Sequence, residues 1–129
     1  MIIGIDYWQV LSHYPEYFCR LMVAHKSLGD GFVVISAVGQ SREGSVQDAV
    51  NKILLQNGMS GWDLKVHEVV FDDPKQSPEL KLAKCKELGV TVFFDDREDV
   101  CRLLNQNDIL AMRVTRKDNS TYDLEAEQK

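Results

Sequence analysis

Val90-Thr91-Val92-Phe93-Phe94-Asp95-Asp96-Arg97-Glu98-Asp99 is a β-branched and aromatic run that stops abruptly at two adjacent acids. A run this continuously apolar suits a strand covered on both faces, as in a parallel sheet flanked by helices. The flanks support that reading. Upstream, Ser77-Pro78 reads as N-cap and first helical residue of a helix running to Leu88, with Gly89 closing it. Downstream, Val100, Cys101 and Leu104 share one face of a short helix, and Ile109–Thr115 is a further strand.

The same alternation extends to the start of the chain. Ile2–Ile5 reads as a strand ending at Asp6, and Pro15 opens a helix with Phe18, Leu21, Met22, His25 and Leu28 on one stripe, stopped by Gly29. Phe32–Val38 is a second strand. After the Gly39–Gly44 loop, Ser45 with Asp48 reads as a capping box. It opens a helix carrying Val46, Ala49, Val50, Ile53 and Leu54, which Asn57-Gly58 ends. Lys65–Phe71 is a third strand, closed by the turn residues Asp72-Asp73-Pro74. Five strands alternating with helices imply crossover connections, hence a parallel sheet with helices on both faces. The expected architecture is one three-layer α/β/α domain, Rossmann-like, over residues 1–116, with a polar tail over 117–129.

Composition sets outer limits. The 129 residues are 44% hydrophobic and 27% charged, with a net charge of −5. A domain of this size buries about two thirds of its unfolded surface and needs no staple to fold. The acidic balance excludes a nucleic-acid backbone as the default partner. No apolar run reaches the length of a membrane span, and the N-terminus lacks a basic signal-peptide region. Cys19, Cys85 and Cys101 form no C-x-x-C pair, and His13, His25 and His67 have no metal-ligand spacing. Reduced thiols and a cytoplasmic location are the expectation.

In an open parallel sheet, ligands bind beyond the carboxyl ends of the strands, where strand order reverses. The residues expected there are Asp6, the Ser36–Gly39 segment, Asp72-Asp73 and Asp95-Asp96, with Asp72-Asp73 read as turn chemistry rather than ligands. Carboxylates crowded on one edge repel one another, so a hard divalent cation is their natural partner; magnesium suits few carboxylates with several retained waters. The helix after the third strand starts on this same edge. Lys81 in its early turns therefore points back toward the acids, whereas Lys84 lies nearly a turn further away. Glu98 and Asp99 suit the positive end of the next helix regardless of function.

Strand-then-Asp6, strand-with-Ser36, helix-with-Lys81 and strand-then-Asp95-Asp96, in that order, resemble the four motifs of the haloacid dehalogenase-like hydrolase superfamily. The resemblance covers Ile2 to about Val114 and implies the strand order 3-2-1-4-5, with Asp6 and Asp95 side by side. It implies that Asp6 is a nucleophile taking up a phosphoryl group, that Ser36 holds a phosphoryl oxygen and that Lys81 neutralises charge. It further implies a magnesium site from Asp6, Asp95, the backbone carbonyl of Trp8, and Asp96 or Asp99. The departure lies in the first motif. Where the family has D-x-D-G-T, this chain has Asp6-Tyr7-Trp8-Gln9-Val10. Indole cannot replace the second Asp as proton donor to the leaving group, a loss typically worth about a hundred- to ten-thousand-fold in rate. Trp8 is then either a hydrophobic plug or a stacking platform. The spacing also leaves no room for an inserted cap domain, so the site would be open and would serve a large phosphorylated substrate or a protein partner.

A phosphorelay receiver would carry its acidic pair after the first strand, and a dinucleotide domain would need a glycine-rich loop there; Asp6–Ser12 has neither. Two readings follow. One is a magnesium-dependent phosphatase-type enzyme working through an aspartyl-phosphate on Asp6, restricted to leaving groups that need no proton. The other is a catalytically silent relative that keeps the scaffold as a binding module.

Overall fold

The alternating pattern folds as five parallel strands with helices packed on both faces. The computed structural model describes residues 1–116; the expected tail over 117–129 lies outside the described residues. The strands are β1 (Ile2–Ile5), β2 (Gly31–Gly39), β3 (Val66–Phe71), β4 (Val90–Asp95) and β5 (Leu110–Arg113). The helices are α1 (Pro15–Lys26), α2 (Val46–Gln56), α3 (Ser77–Leu88) and α4 (Glu98–Asn105). Sheet order is β3-β2-β1-β4-β5, with every neighbouring pair parallel. The chain thus moves outward from β1 to β3 and returns to pair β4 on the other side of β1. That return makes the β1/β4 seam the reversal point.

Two apolar layers hold the sheet. On one face Phe18, Cys19 and Met22 of α1 and Val46, Val50 and Leu54 of α2 pack on Ile5, Val34 and Val38. On the other, Leu82 and Cys85 of α3 and Val100, Cys101 and Leu104 of α4 pack on Ile35, Val69, Phe93 and Ala111. Each large apolar side chain buried this way contributes about 1.5–3 kcal/mol before chain entropy is subtracted. Gly4 in β1 is set by close packing. A Cβ there would stand 2.5 Å from Cδ2 of Phe93, a fully buried ring that takes the space a side chain would need.

Several element ends differ from the sequence expectation. α1 stops at Lys26, so Leu28 leaves the stripe and is 73% exposed. Ser45 makes no capping box: its own backbone is helical, and its hydroxyl donates to the Arg42 carbonyl at 2.7 Å. β3 begins at Val66 and β5 covers only Leu110–Arg113. Ser77 is not the N-cap of α3. A 3-10 turn over Pro74–Gln76 precedes it, capped by Asp73, whose carboxylate accepts from the Lys75 amide while Gln76 reaches back to the Asp73 amide. Asp73-Pro74 and Ser77-Pro78 both carry a cap-then-proline signal, and the earlier pair takes the role. At the other end Gly89 closes α3 as expected, with φ 73°.

Candidate functional site

Because β1 and β4 are neighbours, the residues ending them meet. The Asp6 amide donates to the Phe94 carbonyl at 2.9 Å, which sets Asp6 beside the last residue of β4, Asp95. α3 packs over this seam and carries Lys81 inward. Its Nζ lies 2.6 Å from Asp95 Oδ2 and 3.2 Å from Asp6 Oδ1. All three side chains are buried, as is Asp96. Asp6, Asp95 and Asp96 each offer a carboxylate oxygen, and these oxygens lie within 4.8 Å of one another. Oxygens sharing one cation at about 2.1–2.6 Å stand no more than about 4–5 Å apart, so the three carboxylates can hold a metal ion.

The electrostatics favour a cation. Burial pushes the Asp6 carboxyl well above its usual range; Lys81 pulls it back, and the charges of Asp95 and Asp96 push it up further. Asp95 is raised in the same way, first by burial and then by Asp96, against the pull of Lys81 and the Arg97 amide. Burial alone would lower Lys81, but Asp6 and Asp95 outweigh it and hold the ammonium above the ordinary lysine range. Lys81 is therefore a fixed positive charge. Arg116 supplies a second, with Nε and Nη2 each 2.9 Å from Asp96 Oδ2. Among the described residues, three buried carboxylates face Lys81 and Arg116, an arrangement that could hold a metal ion.

The loop after β4 is braced. The Arg97 amide donates to Asp95 Oδ1 at 3.0 Å. Its guanidinium makes a two-pronged pair with Asp99 at 3.0 and 2.7 Å and reaches the Pro74 carbonyl at 3.4 Å, joining the start of α4 to the turn before α3. Of the two candidates for a second acid, Asp96 enters the cluster and Asp99 is held by Arg97. Lys84, the other lysine considered, pairs with the exposed Glu87.

A cavity of about 580 Å³ opens over the cluster. Asp6, Ser77, Lys81, Asp96, Arg97 and Arg116 line it, together with Trp8 and Gln9, the end of β2 (Ala37, Val38, Gly39) and Ser41, Arg42, Phe71 and Pro74. Trp8 is 41% exposed and makes an edge contact with Tyr7, so the indole borders the cavity and does not plug it. Its backbone is extended (φ −66°, ψ 132°), and the next residue, Gln9, adopts φ 64°. That left-handed conformation is one glycine reaches freely and glutamine reaches at a cost. The turn is fixed by the Gln9 amide donating to Ser12 Oγ at 3.0 Å.

Ser36 is not brought into the cavity. It is fully buried in β2, opposite Glu68 of β3, and its Oγ has no hydrogen-bond partner. Strand alternation gives it the face of Val34 and Val38, in the apolar layer shared with α1 and α2; the residues that follow it in β2, Ala37, Val38 and Gly39, do line the cavity. Asp72 and Asp73 also stay out of the lining; Asp72 accepts from Gln40 and Asp73 caps its turn. Sequence reasoning missed Ser77, Gln9, Arg97 and Arg116. Arg116 follows β5 closely, so reading residues just past the carboxyl end of that strand, as for the others, would have reached it.

No family model matches the chain, and no curated protein matches it either.

Proposed function

We propose that the chain is a magnesium-dependent phosphoryl-transfer enzyme of the haloacid dehalogenase-like type, acting through Asp6. The observation that carries this reading is Lys81 bridging Asp6 and Asp95 at the strand-reversal point, with Asp96 completing a trio of buried carboxylates under an open cavity. Asp6, Asp95 and Asp96, with the Trp8 carbonyl, would hold the magnesium, which when bound supplies charge neutralisation for the phosphoryl oxygens. An Asp6 carboxylate oxygen attacks phosphorus as the bond from phosphorus to the leaving-group oxygen breaks. Water then hydrolyses the aspartyl-phosphate, releasing phosphate and restoring Asp6. Lys81 holds Asp6 in place and offsets negative charge through both steps.

Gln9 with φ 64° supports the resemblance, because it keeps a glycine-like backbone at the position where the family pattern has Gly. Trp8, at the position of the usual proton donor, limits the chemistry to leaving groups that depart as stable anions, such as the carboxylate of an acyl phosphate, the phosphate of an anhydride or an acidic phenolate. Among the described residues no inserted domain covers the cavity, which suits a phosphoryl group carried on a large substrate or a protein partner. The three free, buried thiols suit the cytoplasm. Among the described residues no helix is long and apolar enough to cross a membrane.

Hydrolysis of p-nitrophenyl phosphate with and without magnesium tests the proposal. Turnover should require the metal and disappear in Asp6→Asn; turnover that survives that substitution contradicts the nucleophile. The indole at the proton-donor position favours one second reading, a binding module that takes up magnesium and phosphate without turnover.

A further inference from the structure

We propose that the phosphoryl oxygens are held by Ser77, on the first turn of α3, so that this one helix presents both the hydroxyl and the ammonium that meet the anion. The inference rests on the phosphoryl-transfer reading and names a contact that the motif resemblance gives to Ser36 instead.

Four buried side-chain oxygens among the described residues lack a hydrogen-bond partner: Gln9 Oε1, Ser36 Oγ, Glu68 Oε2 and Ser77 Oγ. A buried polar atom left unpaired costs about 1–3 kcal/mol, so a native orphan calls for an explanation. Only Gln9 and Ser77 of the four line the cavity. The orphaned atom of Gln9, Oε1, is an acceptor, whereas the orphaned atom of Ser77 is a hydroxyl that can donate to an anion.

Local structure explains why that hydroxyl is free. A serine opening a helix ordinarily caps it, and one inside a helix ordinarily donates back to the carbonyl four residues earlier. Asp73 has taken the capping role, and Ser77 Oγ bonds no carbonyl of the preceding turn. Ser77 is left fully buried with its Oγ unpaired, and the residue is one of those that line the cavity. It precedes Lys81 by four residues, so both side chains stand on one face of α3, and both line the cavity beside Asp6.

Removal of an unpaired hydroxyl should not harm the ligand-free protein, which separates this role from a structural one. Binding of inorganic phosphate to the full chain in magnesium, followed by calorimetry, should weaken about ten- to a hundred-fold in Ser77→Ala, the value of one hydrogen bond to a charged acceptor. The melting temperature of ligand-free Ser77→Ala should match or exceed that of the wild type. Equal phosphate affinity in Ser77→Ala and wild type overturns the inference while leaving the Asp6 reading intact. A loss that falls on Ser36→Ala instead overturns it in favour of β2. A wild-type chain that binds no phosphate and turns over no p-nitrophenyl phosphate overturns both readings together.

Discussion

Lys81 stands between two buried carboxylates and is itself 2% exposed, with Nζ also 5.8 Å from the centre of the Phe93 ring. Breaking a buried pair by removing one partner leaves uncompensated charge, which typically costs about 3–5 kcal/mol. Lys81→Met, similar in length but uncharged, should lower stability by about that much in urea unfolding. Added magnesium should recover part of the loss by supplying the missing positive charge. A loss below about 1 kcal/mol would mean that the pair contributes no more than a surface contact. At this scale the sequence was partly legible. Asp6, Lys81, Asp95 and Asp96 follow from strand ends and helix direction alone. Ser36 lies outside the cavity lining, which β2 reaches only from Ala37 onward. Ser77 was hidden by a capping signal that Asp73 satisfies one turn earlier.

Strands and helices were easier to read than their ends. Among the described residues, the five strands and helices α1, α2 and α4 follow from apolar runs and three-and-four spacing, and α3 from its end signals, yet the boundaries depend on which of several competing caps closes its hydrogen bonds. The link between α1 and β2 illustrates such a device. Asp30 accepts from the Met1 ammonium at 2.9 Å and pairs with His25 Nδ1 at 2.8 Å, tying the end of α1 to the start of β1. These hydrogen bonds, first His25 and then the ammonium, hold the Asp30 carboxyl below the usual carboxylate range. A depressed folded-state value stabilises the fold above the unfolded carboxyl value of about 4, and the contribution fades as pH falls through the folded value. Asp30→Asn should therefore have a lower urea midpoint than the wild type at pH 7, and the gap should close on titration below about pH 4. A gap that persists at about pH 2 would assign the effect to packing.

At the scale of the whole molecule, the strand order converts a diffuse acidity into a local one. The net charge of −5 says only that anionic backbones are poor partners. Sheet order β3-β2-β1-β4-β5 then sets the ends of β1 and β4 side by side, so that acids 89 residues apart, Asp6 and Asp95, share one lysine. No local sequence signal contains that meeting; it comes from topology, which the motif order implied and the paired strands bear out. We propose that Asp6 accepts a phosphoryl group at a magnesium site made with Asp95 and Asp96. Incubation with magnesium and beryllium fluoride, read by fluorine NMR and by a crystal structure, tests it most directly. A beryllofluoride adduct should form on Asp6 and be lost in Asp6→Asn; a protein that binds magnesium but forms no adduct on Asp6 overturns the proposed nucleophile.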